Sequence, residues 1–346
     1  MFYTKKIEDN EMSKMEVDNN LNNDLPWVEK YRPNQLSDVV SHTDIIQTIS
    51  NFIVKERLPH LLFYGPPGTG KTSTILAIAR KIYGTNYKRN VLELNASDDR
   101  GIDVVRDQIK SFAQTRTLFS NGFKLIILDE ADLMTQQAQG ALRRIIEHYT
   151  PTTRFCIICN YVNKITPAIL SRCTRFRFSP LPKQHLHARL TEVVDREAVE
   201  IDEDAKDALL NLTRGDMRRA LNVLQACHTA CAPEKITADD VFNVTASPPP
   251  STIEYLIKSM MNDDISTCYQ RVHTLKRQNG LALQDIITGA YEYIQQIEFP
   301  RATRLHLLEN LAEIEYRLST GSSETIQLSA LIASFKLGID IAAKET

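Results

Sequence analysis

The 346-residue sequence has almost no excess charge, few glycines and prolines, a single tryptophan and no long apolar run. Lysine and arginine number 41 against 43 aspartates and glutamates, a net charge of −2. An overall basic field is therefore excluded, and any acidic partner has to meet a local basic patch. Twelve glycines and 14 prolines exclude a collagen-like chain, and 42% hydrophobic with 24% charged residues excludes a wholly disordered one. No continuous apolar stretch approaches the ~18 residues of a membrane span, so a soluble chain with no membrane partner is expected. Only six cysteines occur, with no secretory signal, which points to reduced thiols in a cytosolic or nuclear compartment. Cys156 and Cys159 sit three apart in an apolar strand pattern, which sends them to opposite faces and favours core thiols over a metal pair. Cys227 and Cys231 share a helical spacing, but no second ligand pair accompanies them.

The length suggests two or three domains, each able to bury its own core. Residues 1–24 hold five asparagines and six acids against three lysines, the opposite of a basic transit peptide, and read as a flexible tail. Ordered sequence is expected from Leu25-Pro26-Trp27 onward, with a helical pattern over Asp44 to Val54. Four apolar runs follow, Leu61–Tyr64, Val91–Leu94, Lys124–Leu128 and Arg154–Cys159, separated by stretches of helical spacing. Strands alternating with helices imply an α/β fold with a parallel sheet covered on both faces. Strand signals stop after Arg177-Phe178-Ser179-Pro180, which sets a boundary near residue 180 and leaves a small helical domain over 181–247. Pro248-Pro249-Pro250 cannot continue a helix and sets a second boundary, before a further helical domain over 248–346 that includes amphipathic segments at Ile253–Met261 and Leu281–Ile297.

The chemistry concentrates in two places. Gly65-Pro66-Pro67-Gly68-Thr69-Gly70-Lys71-Thr72 matches G-x-x-x-x-G-K-[ST] between an expected strand and an expected helix over Thr72–Tyr83. Its glycines let backbone N–H groups line a concave phosphate cradle, to which the next helix adds its positive end. Lys71 then neutralises β and γ phosphates, and the Thr72 hydroxyl ligates Mg²⁺, so ATP and Mg²⁺ are the expected cofactors. Leu125-Ile126-Ile127-Leu128-Asp129-Glu130-Ala131-Asp132 delivers two adjacent acids at the C-terminal end of a strand, the ligand-binding edge of an open α/β sheet. Alone, this is equally an acidic loop. Beside the phosphate loop, Asp129 is placed to hold the metal and Glu130 to polarise an attacking water.

These motifs, with Trp27-Val28-Glu29-Lys30-Tyr31-Arg32-Pro33, Asn95-Ala96-Ser97-Asp98-Asp99-Arg100-Gly101, Ser171-Arg172-Cys173 and Gly215-Asp216-Met217-Arg218, resemble the AAA+ ATPases and, within them, the small subunits of replication factor C, the eukaryotic sliding-clamp loader. The resemblance runs from about Leu25 to the C-terminus. It implies a RecA-like AAA+ domain over 25–180, a helical lid over 181–247 and an all-helical collar over 248–346. It also implies that Val28 and Arg32 help form the nucleotide pocket, and that Asn160 and Arg218 are the two sensors reaching the bound phosphates. Arg172 becomes an arginine finger that projects into the neighbouring subunit's site, which makes the isolated chain a poor ATPase.

The implied partners are four other clamp-loader subunits in a hetero-pentamer, a trimeric sliding clamp and primer-template DNA, with the nucleus as compartment. Arg100, Arg106 and Lys164 are the implied contacts to the DNA backbone, sequence-independent and salt-sensitive. Lys110 is left open, since Asp103 and Asp107 interleave with these cations as on a solvated charged face. Ile109, Phe112 and Phe119 are candidate clamp-facing anchors or ordinary core residues. Two other readings of the same motifs are a protein remodeller or helicase-type motor and a non-hydrolysing structural subunit. The intact Lys71, Asp129, Glu130 and Asn160 weigh against the second.

Overall fold

A computed structural model describes residues 25–33, 35–38, 41–55, 57–96, 101–115 and 122–345, with side chains at 101–106 and 345 left aside. Two units emerge from the internal contacts, one of residues up to 201 with 209–228, the other of 202–208 with 229–346.

The first unit is built on five parallel strands, β1 (Leu61–Tyr64), β2 (Val91–Asn95), β3 (Lys124–Asp129), β4 (Thr153–Cys159) and β5 (Thr174–Arg177), in the order β2-β3-β4-β1-β5. Alternation along each strand feeds two separate cores. Leu61, Phe63, Leu125, Ile127, Cys156 and Ile158 pack on one face against Ile49 of the helix Thr43–Val54 and Ile75 and Ile78 of the helix Lys71–Tyr83. Leu62, Ile126, Leu128, Phe155, Ile157 and Cys159 pack on the other, against Ile109 of the helix Gly101–Gln114 and Leu142, Ile145 and Ile146 of the helix Gln136–Tyr149. Cys156 and Cys159 thus lie on opposite faces, and no disulfide joins any of the six cysteines.

The four apolar runs seen in the sequence coincide with β1 to β4, each within a residue. The fifth strand escapes that pattern. β5 is Thr-Arg-Phe-Arg, borders only β1 among the described residues, and directs Phe176 alone toward the core while Thr174, Arg175 and Arg177 are exposed. After it come helices at Lys183–Arg196 and Met217–Cys231.

The second unit is helical. Pro250 does interrupt the chain, and it does so by occupying the first turn of the helix Pro250–Asn262, where its missing N–H costs nothing. Helices Ile265–Asn279, Leu283–Gln296, Arg301–Ser319 and Glu324–Glu345 follow, and their core includes Leu256, Ile257, Val272, Ile286, Leu311, Leu331 and Phe335. Among the described residues one helix, Glu324–Lys344, is long and apolar enough by length and composition to cross a membrane. No unbroken apolar run marks it, because polar residues are spaced through it, and Leu328, Leu331, Ile332 and Phe335 bury one face in this unit's core.

Candidate nucleotide-binding site

The site forms where β1, β3 and β4 end side by side. β1 runs into the loop Gly65–Gly70, and Lys71 opens the next helix. Two glycines answer local demands, one steric against backbone and one chiefly conformational. Gly65 has φ +147°, and a Cβ there would sit 2.0 Å from the Phe178 carbonyl oxygen. Gly68 has φ +67°, and its Cβ would sit 1.7 Å from Asp216 Oδ1. The loop is pinned internally by Thr69 Oγ1, which donates to the Pro66 carbonyl at 2.9 Å.

Lys71 is buried, and its ammonium donates to the carbonyls of Gly65 and Pro66, both at 2.8 Å, and to Asn160 Oδ1 at 2.9 Å. Burial pushes its pKa below the ordinary lysine value, against an opposing pull from the Asp129 carboxylate. The Thr72 hydroxyl donates to Asp129 Oδ2 at 2.7 Å. A hydroxyl and a carboxylate side by side beside a phosphate cradle are the hard oxygen donors that suit Mg²⁺, which completes its shell with water and phosphate oxygens. These residues therefore fit a magnesium nucleotide.

Glu130 has φ +55°, a left-handed conformation uncommon for a residue with a side chain. It turns the chain sharply after β3, so that its own N–H donates to Asp129 Oδ1 at 2.8 Å. The loop after β4 is fixed from two sides. Asp132 accepts the N–H groups of Asn160 at 3.4 Å and Tyr161 at 3.3 Å. Gln139, 1% exposed, donates to the Lys164 carbonyl at 3.0 Å and accepts from the Thr166 N–H at 2.8 Å.

One cleft brings together Val28, Arg32, Pro67, Gly68, Thr69, Gly70, Lys71, Thr72, Asp129, Glu130, Asn160 and Arg218, all expected from sequence. Gly65 and Pro66 contribute through their carbonyls to Lys71. The cleft is also lined by Tyr31, Asp38, Ser41, His185, Arg189, Met217 and Leu221, which sequence reasoning missed. Asp132 was missed as a support too, although it stands inside a motif that was read.

Other expected residues lie elsewhere. Arg172 is outside this cleft, pairs with Glu147 and donates to the Ala168 carbonyl at 2.6 Å. Lys164 is exposed, its ammonium 5.0 Å from the centre of the Tyr161 ring. Arg106 falls in the helix Gly101–Gln114 among side chains left aside, and Arg100 and Phe119 lie outside the described residues. Ile109 is 2% exposed and Phe112 half-buried against the same core, so both are core residues here.

The fold and this cleft define a P-loop ATPase, and the model of the ATPase family associated with various cellular activities (AAA) matches residues 61–181. The Replication factor C C-terminal domain matches residues 248–334. Replication factor C subunit 3 of Schizosaccharomyces pombe is 58% identical over 320 residues, covering 92% of this chain and 93% of that protein. Replication factor C subunit 5 of Homo sapiens is 55% identical over 322 residues, covering 93% and 94%. Subunit 3 of Saccharomyces cerevisiae is 51% identical over 320 residues, covering 91% and 94%. Among solved structures, the RuvB Holliday junction branch migration motor of Thermotoga maritima aligns with a TM-score of 0.50 at 16% identity, covering 78% of this chain and 94% of that one, a likeness of fold alone. The chain belongs to the replication factor C family of AAA ATPases.

Proposed function

We propose that this chain is an ATP-hydrolysing subunit of a sliding-clamp loader, which helps open the clamp and place it on primed DNA during replication and repair synthesis. The convergence of Lys71, the Thr72–Asp129 pair, Glu130 and Asn160 on one phosphate loop carries the reading, in a chain akin to replication factor C subunits over nine-tenths of its length. That kinship disfavours a protein remodeller or helicase motor.

In this reading Val28 and Arg32 hold the base end of ATP, and the backbone N–H groups of the loop hold its phosphates with Lys71. Mg²⁺ held by Thr72 and Asp129 would neutralise charge on the β and γ phosphate oxygens. Glu130 polarises a water whose oxygen adds to the γ phosphorus as the bond to the β–γ bridging oxygen breaks, giving ADP, inorganic phosphate and a proton. Asn160 and Arg218 orient the γ phosphate. Arg172 acts in trans, where a finger is worth ~10³ to 10⁵ in turnover.

The partners in this proposal are four other loader subunits, the trimeric clamp and primer-template DNA met by Arg100, Arg106 and Lys164, in the nucleus. The proposed division is 25–180 for nucleotide, 181–247 for the lid and 248–346 for the collar, with the family models ending at 181 and beginning at 248 in its support. ATP turnover by the reconstituted complex, with and without primed DNA and clamp, tests the proposal. Joint stimulation that Glu130→Gln in this subunit reduces supports it. Stimulation by an unfolded protein alone, with none from clamp and DNA, refutes it.

A further inference from the structure

The segment Trp27–Arg32 has two faces. Across the short helix Trp27–Lys30 and the turn that ends it, Trp27, Lys30 and Tyr31 stand at i, i+3 and i+4, while Val28 and Arg32 stand at i and i+4 of a second side. The second side lines the nucleotide cleft, and Tyr31 of the first side lines it too. The first is strapped to the helices Lys183–Arg196 and Met217–Cys231. Trp27 donates its N–H to Gln225 Oε1 at 3.0 Å and sets its ring 5.5 Å from that of His228. The Tyr31 carbonyl accepts from Arg189 Nη2 at 2.9 Å.

Glu197, which caps the end of the helix Lys183–Arg196, is where these ties converge. Its Oε1 accepts the Tyr31 phenol and pairs with Lys30 Nζ at 2.6 Å. The pair is largely shielded, with side chains 23% and 17% exposed. Burial pulls the Glu197 carboxyl upward, but the hydrogen bonds from Lys30 and Tyr31 outweigh it and hold its pKa below the ordinary glutamate value. The acid is therefore ionised at neutral pH. Glu197 itself does not line the cleft.

The phosphate loop lines this cleft together with Val28, Arg32, His185 and Leu221, and on the nucleotide reading above, which gives Val28 and Arg32 to the base end, these side chains form the wall beyond the phosphates. We infer that Glu197 is a positioning residue for the base end: by holding Lys30 and Tyr31 it fixes the wall formed by Val28 and Arg32, and joins that wall to the lid helix rather than to the sheet. The inference rests on the nucleotide reading above and adds to it a residue whose effect is confined to one end of the ligand. Removing Glu197 leaves a shielded ammonium and a buried phenol without their shared acceptor, and the wall loses its anchor.

The test separates the two ends with two probes, Mg-ADP, which spans the cleft, and inorganic tripolyphosphate, which reaches only the loop. On the full chain, Glu197→Ala should weaken Mg-ADP by about tenfold, the effect of one lost polar contact. Tripolyphosphate affinity should stay within about twofold, since the loop contacts are untouched. Glu197→Gln keeps an acceptor for Tyr31 without the charge for Lys30, and should fall between wild type and the alanine variant; it also serves if the alanine variant fails to fold. Unchanged Mg-ADP affinity in the variants overturns the inference, as does an equal loss for both probes, the mark of a general structural defect. Wild-type protein that takes up neither probe removes the nucleotide reading itself, and this inference with it.

Discussion

His60 gives the sharpest quantitative prediction. It precedes β1, is 8% exposed, and places its Nδ1 as acceptor for the Phe155 N–H at 3.1 Å. That fixes the proton on Nε2, which faces Thr150 Oγ1 at 3.1 Å. A second proton has to enter at Nδ1, against another N–H, in a buried place beside Arg154. Burial first and the Arg154 charge second lower the pKa from 6.5 to about 4.

The folded state therefore binds the proton more weakly than the unfolded chain, and stability is lost as pH falls from 6.5 toward 4. At about 1.4 kcal/mol per tenfold in proton affinity, the full loss is about 3 kcal/mol, of which about 2 is reached by pH 5. The only tryptophan, Trp27, is buried in the same unit and reports its unfolding. Urea unfolding followed by Trp27 fluorescence at pH 7.5 and pH 5.0 should show wild type losing about 2 kcal/mol more than His60→Gln across that interval, since only wild type carries the imidazole. Equal pH dependence in the two proteins refutes the account, as does an imidazole that titrates near 6.5 in the folded chain by NMR.

Other perturbations bear on the cleft. Gly68→Ala combines φ +67° with a 1.7 Å encounter with Asp216, so Mg-ADP affinity should fall by about tenfold or more in a calorimetric titration. Glu130→Gln should retain nucleotide but lose ~10² to 10⁴ in single-turnover hydrolysis by the assembled complex, as expected for a positioned base. Thr72→Val removes the hydroxyl bonded to Asp129 and should raise the magnesium concentration needed for half-maximal ATP binding, read by titrating the metal at fixed nucleotide.

The parts of this molecule legible in sequence are those where one physical requirement dominates a short stretch. Strands buried on both faces need near-continuous apolar runs, so β1, β3 and β4 stood out. The phosphate loop needs glycine at fixed places: Gly65 is pressed against the Phe178 backbone, and Gly68 holds a left-handed φ of +67°. β5 buries a single ring and so leaves no run to read. His185 and Arg189, one turn apart on the helix Lys183–Arg196, meet Tyr31 in the cleft from a distant stretch of chain, and no local spacing encodes that meeting. Asp132 sits in an apparent acidic motif, but its hold on Asn160 depends on how the chain leaves β3 and β4 side by side. Apart from the Ser171-Arg172-Cys173 motif, Arg172 and Lys164 carry no local signature beyond charge, and the roles proposed for them rest on kinship.

The margins of the sheet have a consequence for crowding. β5 pairs on one side only, and it presents Arg175 and Arg177 to solvent where an incoming extended chain would have to dock; at the opposite margin β2 presents Glu93 and Asn95 as partly or fully exposed polar residues. Such fringes discourage sheets from fusing edge to edge. An extended chain approaching either margin therefore meets charged or polar side chains instead of an apolar strand.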